Sequence, residues 1–569
     1  MSAPRPAIAR VFEILDPRRL HPFIQWSIIT WIVVFWRLGY PSLLDPDEAH
    51  YAELTREMIR ARSWFVPLLD GAPYIDKPVL FHWLQGASIQ LLGESEFAIR
   101  FPIALAALAL FWTIRWLGNE VFDGRSGDAG AMMFATIPAT FMLASVGLFD
   151  MIFAAFLFGS VACLLVAAIR KREGFEYLGW LLLTLAAMTK GPVALVLAGG
   201  FFVAVTVVGG EGREVIARLK WPAGLLFAFF AASPWFLWMW GRFGDEFIQR
   251  YVLAGNVWYV TNPVAFSTRA SSYAFYARTF AGAFFPWSAI AIGHGLDGLA
   301  QRSNRGCVPP IEKLLWIWIA VVIATFTIAG FKLDTYIFPA APACCLLAAV
   351  GWRRAGTDPT RAWTRWAAAI MAGVLVAGGI VASVAMFRVN LGLAWSAILL
   401  PTVMVAGGTW MLREISDRGW ATTPRLASPI VTLLAVYSAI VMFGLPVLER
   451  SRPTAPIGRW IQRHSTPDTA VAIYGLSDWR ASIRYYADHS IVELPDEVAV
   501  SRFVDEHPGG LVLMLRRDYD ALRAGGIEIK RVQDRPIIAG RSGRFIRRQI
   551  WDDLVVAAPK NALVADGEP

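Results

Sequence analysis

Charge is scarce in this chain of 569 residues: Asp, Glu, Lys and Arg make up 17%, against 56% apolar residues. That excludes an ordinary soluble globule, a class in which about 25% of residues are charged. Cysteine is scarcer still, with four in all. Cys163, Cys344 and Cys345 fall in apolar runs and Cys307 in a basic loop, so no disulfide framework is implied. No internal repeat is visible, and neither HExxH nor CxxC spacing occurs. The usual signs of a repeat-built transporter and of a tightly held metal are therefore missing. The net charge of +9 marks no nucleic-acid partner, because the basic residues collect in short loops between apolar runs, where they anchor a membrane protein.

Long apolar runs take the place of charge. A segment of roughly 20 residues can cross a hydrocarbon core, and about thirteen are read here, at 23–39, 98–117, 130–147, 150–169, 176–189, 191–209, 222–241, 279–296, 313–330, 334–351, 366–386, 392–412 and 428–447. The first follows Arg5, Arg10, Arg18 and Arg19 and has no small-residue cleavage site, so it reads as a retained anchor with the N-terminus inside. Lys and Arg then fall in alternate loops, at 170–173, 212–220, 301–305, 352–361 and 413–418, which are taken as cytoplasmic. The other loops, and the tail beyond Arg450, are expected outside. Twenty-five tryptophans suit a chain with two membrane interfaces.

The expected architecture is mainly α: a polytopic membrane protein with a membrane domain over 1–450 and large external loops at 40–97 and 242–278. A small α/β domain follows at 451–555 and a flexible tail at 556–569. Between Glu48 and Ala61, Tyr51, Leu54, Met58 and Ile59 recur at helical spacing opposite Glu53, Arg56, Glu57 and Arg60, the pattern of an interfacial amphipathic helix. A second short helical pattern follows Pro78 and stops at Gly93. Short β-rich runs at 470–475, 490–494 and 511–515 alternate with helix-like segments in the C-terminal region.

Asp47, Asp76, Lys77, Asp150, Lys190 and Lys332 are acids or lysines at span ends or in adjoining loops, several deep in apolar context such as SVGLFDMIF and AMTKGPVA. All fall on the side assigned outside. Half-buried charges cost several kcal/mol unless paired, and one shared cavity would let them pair. For LLDPDEAHYAE (43–53) two readings stand together: Asp45 as helix cap with Pro46 first in the helix, and a reactive carboxylate. His50, His82, Asp47, Glu48 and Asp76 share the first loop, but no ligand spacing supports a divalent metal there.

In order along the chain, PDEAHYAELTREM, PYIDKP, LFDMIF, TKGP and FKLDTYIFP resemble the motifs of bacterial membrane glycosyltransferases of the GT-C class. The resemblance is to the aminoarabinose transferase of lipid A and the wider dolichyl-phosphate-mannose-protein mannosyltransferase-like family. It implies a GT-C fold in the bacterial inner membrane, no certain cofactor, and transfer of a sugar from a polyprenyl (undecaprenyl) phosphate, with inversion. The acceptor would be lipid A, another envelope glycan or an exported protein at the periplasmic face. Asp47 takes the position of the catalytic acid, with Glu48 and Tyr51 beside it. Lys77 matches the lysine that contacts donor phosphate, and Asp150, Lys190, Lys332 and Tyr336 match further active-site positions. His50, Tyr74, Asp76 and Asn256 are assigned to substrate.

This chain departs from the family pattern at three places. Asp76 stands where the family's EKP has Glu, His50 where an arginine precedes the loop tyrosine, and Asn256 and Tyr259 where a histidine and an arginine are usual. Arg250 and Arg269 are candidates for the phosphate contact so displaced. The rival of another class is a lipid-linked sugar flippase or transporter. Midplane charges would mark a transporter, whereas here the charges gather toward one face.

Overall fold

The computed structural model describes residues 22–261, 272–305, 309–389, 396–418, 426–538 and 551–562. Cys307, Arg269, the basic residues before the first span and the tail from 563 lie outside the described residues, as does the side chain of Tyr259. Within them the protein is mostly helical. Eight helices are long and apolar enough to cross a membrane by length and composition, and two shorter apolar helices, Trp26–Phe35 and Val193–Val208, accompany them. The 130–147 run is divided into Gly124–Ala135 and Pro138–Leu143. Pro138 forces Ile137 into an extended conformation (φ −76°, ψ 146°), as proline does to the residue before it.

Six helices carry the isolated charges or hold them in place. The first, α1 (Asp47–Arg60), lies in the large first loop and is followed by α2 (Leu80–Leu92), which ends at Gly93 with φ +84°. The next, α3 (Glu96–Val121), opens on a Ser95 cap that accepts the Ala98 N–H. An antiparallel pair, α4 (Phe149–Arg170) and α5 (Glu173–Lys190), turns at Lys171 and brings its outer ends together. In the C-terminal region, α6 (Arg480–Ala487) belongs to a five-stranded sheet domain.

That sheet runs in the order β2-β1-β3-β5-β4, where β1 is Val471–Tyr474, β2 Ile491–Leu494, β3 Leu511–Leu515, β4 Ile529–Ile538 and β5 Trp551–Pro559. The first three strands are parallel and the last two join antiparallel. One face packs Val471, Ile473, Leu511 and Leu513 against Ile457 and Ile461. The other packs Ala472, Val512 and Met514 against Val500, Phe503 and Leu522. Because β5 pairs with β3 as far as Ala557 and with β4 as far as Pro559, residues 556–559 belong to the sheet and not to a tail that starts at 556.

Two local expectations are corrected. Asp45 does not cap α1: Pro46 occupies the cap position without a side-chain bond, and the Asp45 carboxylate instead accepts from the Ser482 backbone N–H at 2.8 Å and from its hydroxyl. Nor does the polar face of α1 lie free at an interface. Glu53 and Arg56 have 5% side-chain exposure each and pair with one another, while Arg484 reaches Glu57 at 2.6 Å and Arg60 reaches Asp488 at 2.6 Å. The charged stripe is a docking face for α6, and burying it is tolerated because every charge there finds a counter-charge.

Candidate active site

The hairpin of α4 and α5 sets an acid against a lysine. Asp150 is in the first turn of α4 and Lys190 is the last residue of α5, so each sits where the helix dipole favours its charge. They meet at 2.7 Å, with 12% side-chain exposure each. The Lys190 ammonium also stands 4.8 Å from the Tyr336 ring and 5.5 Å from that of Phe153, close enough for cation–π attraction. Lys77 pairs with its neighbour Asp76 at 3.0 Å, just before α2.

Asp47, the first residue of α1, is exposed and stands within electrostatic reach of both pairs. Its carboxyl is raised above the ordinary aspartate range, first by the surrounding protein and then by the charges of Asp150 and Asp76, against which Lys77 pulls it down. Tyr51, one turn on, lies edge-on to Phe149 at 4.7 Å. Burial, with Asp47 next, keeps its hydroxyl firmly protonated. His50 stacks edge-to-face on Tyr74 at 4.8 Å, and its Nε2 is buried without a hydrogen-bond partner. Burial lowers its pKa, so the ring is neutral near pH 7.

The far wall comes from the segment after 242. The Tyr251 carbonyl accepts from Asn256 at 2.7 Å, and the Tyr251 ring packs on Gly191, where an added Cβ would lie 2.4 Å from its hydroxyl oxygen. Gly191 also has φ +85°, a conformation open to glycine at little cost. Gly255 lies against Asp76, its virtual Cβ 3.7 Å from the Asp76 Oδ1.

Asp47, His50, Tyr51, Tyr74, Asp76, Lys77, Asp150, Lys190, Asn256 and Tyr336 are thus placed around one region, but two expected residues are engaged elsewhere. Glu48 is buried and committed to Arg100, with Oε1 2.6 Å from Nε and Oε2 2.9 Å from Nη2. It also accepts the N–H groups of Gly147 at 2.6 Å and Leu44 at 2.8 Å, so it braces the turn and is not offered to substrate. Lys332 donates to the carbonyls of Thr327, at 2.9 Å, and Ala329, closing the C-terminal end of the Pro310–Ile328 helix. Arg250 pairs with Glu246 at 3.3 Å. His82 is buried, bonded to Thr55 Oγ1 at 2.8 Å, and burial pushes its pKa down to about 3. Among the described residues, no three His, Cys, Asp or Glu side chains converge as a metal site.

Arg100, Tyr251 and Ser482 do not stand out as site residues in the sequence. Arg100 carries a signal, a lone cation inside the apolar run EFAIRFPIALAAL. Ser482 carries none, since its partner is 437 residues away.

Residues 76–238 match the family model described as dolichyl-phosphate-mannose-protein mannosyltransferase. The undecaprenyl phosphate-alpha-4-amino-4-deoxy-L-arabinose arabinosyl transferase 1 of Sodalis glossinidius is 30% identical over 403 residues, 66% of this chain and 69% of that one. The corresponding transferase of Pectobacterium carotovorum is 30% identical over 54% of this chain and 55% of its own length. Among solved structures, ArnT from Cupriavidus metallidurans bound to undecaprenyl phosphate superposes with a TM-score of 0.73 at 20% identity, covering 96% of this chain and 99% of that one. A shared fold across the membrane helices and the sheet domain, with a relative at this identity, establishes that the chain belongs to the bacterial aminoarabinose-type transferase family, glycosyltransferases of the GT-C class.

Proposed function

We propose that this protein transfers a sugar from polyprenyl phosphate to a hydroxyl or phosphate oxygen of lipid A or another envelope glycan. The transfer occurs at the external face of the inner membrane, with inversion and with Asp47 as general base. One observation carries the reading: an accessible carboxyl with a raised pKa stands within electrostatic reach of Lys77, Asp76 and Asp150, and the last two each hold a lysine in place.

Asp47 accepts the proton of the acceptor hydroxyl as that oxygen attacks C1 of the sugar. The new C1–O bond forms opposite the phosphate, the old C1–O bond breaks, and its electron pair stays on the phosphate oxygen. The leaving polyprenyl phosphate gains negative charge, so it needs cations more than an acid. Lys77 and Lys190 supply them, and the Tyr336 hydroxyl adds a donor. Asp76 and Asp150 fix the two ammonium groups before substrate arrives, which removes reorganisation from the reaction step. Relatives named for undecaprenyl phosphate support that donor class. The external placement rests on the basic residues of the alternate loops.

Mass spectrometry of envelope lipids, glycans and exported proteins from cells with and without the protein tests the reading. A lipid or glycan that loses one sugar on deletion is expected. A loss confined to exported glycopeptides moves the acceptor to protein, the reading that the mannosyltransferase model over 76–238 favours. No change in any fraction contradicts both.

A further inference from the structure

The turn that delivers Asp47 is held from the far end of the chain. The Ser42 N–H donates to Glu449 Oε2 at 3.0 Å, and the Leu43 N–H to the Tyr486 hydroxyl at 2.8 Å. Arg452 donates to the carbonyls of Ser42, at 3.1 Å, and Leu43, at 2.6 Å. Asp45, two residues before Asp47, takes the Ser482 N–H on Oδ1 at 2.8 Å and the Ser482 hydroxyl on Oδ2. The membrane domain adds Arg100 on the Ser42 carbonyl at 3.2 Å and Glu48 on the Leu44 N–H at 2.8 Å.

From this arrangement we infer that Ser482 of the C-terminal domain is a positioning residue for Asp47, and the inference rests on the proposed role of Asp47 as base. Two donors from one residue, one on each carboxylate oxygen, fix the rotation of Asp45 as well as its place. With Asp45 fixed, the backbone entering α1 has one course, and the Asp47 carboxyl follows from it. A docking contact without this role lies at the other end of α1, where half-exposed Arg60 pairs with Asp488 at 2.6 Å. Misplacing a reacting group by about 1 Å can cost on the order of 100-fold in rate, whereas losing an exposed ion pair costs little.

The test uses the full chain in detergent, as wild type, Ser482→Ala, Ser482→Thr and Arg60→Ala. Hydrogen exchange of amides 42–50 probes the hold without reference to the reaction. Ser482→Ala is expected to speed it about tenfold or more while Ser482→Thr and Arg60→Ala do not, and unchanged protection in Ser482→Ala overturns the inference. Turnover is then measured with undecaprenyl phosphate-4-amino-4-deoxy-L-arabinose as donor and lipid A as acceptor. Ser482→Ala should lower kcat about tenfold or more with donor KM unchanged, Ser482→Thr should restore it, and Arg60→Ala should match wild type. An equal loss of kcat in Arg60→Ala, or full kcat in Ser482→Ala, overturns the positioning role. Wild-type protein without turnover, together with faster exchange in Ser482→Ala, instead rules out the aminoarabinose-to-lipid A form of the proposed reaction and leaves the hold standing.

Discussion

Replacing Arg100 by methionine should unfold the region around Asp47, and the structure gives the size of the effect. Arg100 and Glu48 are both buried at 1% exposure. The guanidinium makes five hydrogen bonds: two to Glu48, and one each to the carbonyls of Leu38, Pro41 and Ser42. In Arg100→Met the carboxylate stays behind with only two amide donors, and breaking a buried pair from one side costs about 3–5 kcal/mol. Such a pair can often be replaced by two apolar residues at little cost, but here a Glu48→Met/Arg100→Met variant still removes the donor from the carbonyls of Leu38 and Pro41 and the acceptor from the N–H groups of Leu44 and Gly147, while the Ser42 carbonyl keeps Arg452. At about 1 kcal/mol or more for each of these four groups, the double variant is also several kcal/mol less stable than wild type. Arg100→Lys keeps the charge with three donors for five acceptor contacts and falls between. Thermal unfolding of purified protein, followed by tryptophan fluorescence and by the monodisperse fraction on size exclusion, ranks the four proteins. A double variant as stable as wild type, or an unperturbed Arg100→Met, would refute the bracing role.

Other outcomes rest on the same geometry. Asp150 raises the pKa of Asp47, and a general base fails as pH falls through its own pKa, so in Asp150→Asn the acidic limb of the activity profile should move to lower pH; a shift upward contradicts the assignment. Gly191→Ala should destabilise by about 1–3 kcal/mol from its positive φ, plus the clash with the Tyr251 hydroxyl. Tyr251→Phe in that background should recover the clash part and not the backbone part, and an unfolding midpoint for Gly191→Ala equal to wild type would remove both claims. Chelation should leave turnover unchanged, and a loss restored by one divalent ion would require a metal in the mechanism.

What was legible in the sequence was charge in the wrong solvent. Asp150 and Lys190 stood out because an isolated ion in apolar surroundings needs a partner, and the loop RKRE between their helices already implied the antiparallel turn that joins them. Strands β1 to β3 were visible as short apolar runs. Strand β4, IKRVQDRPII, was not, because it lies on a sheet edge, where charges and a proline are tolerated. The role of Asp45 was hidden by a competing local signal: Asp-Pro before a helix reads as a cap, and the bond that prevails comes from 437 residues away. Glu48 shared every local feature of Asp47, and only the position of Arg100, 52 residues on, separates the brace from the candidate base. The polar face of α1 read as solvated because its counter-charges belong to another domain.

The central claim is that Asp47 takes the proton from the acceptor. Its most direct test is turnover of purified Asp47→Asn with a polyprenyl-phosphate sugar and lipid acceptor, with melting temperature and donor binding measured on the same preparation. The account predicts a protein that folds and binds donor as wild type does, with kcat lowered about 100- to 10,000-fold, the range expected for loss of a general base. Wild-type kcat in Asp47→Asn would contradict it.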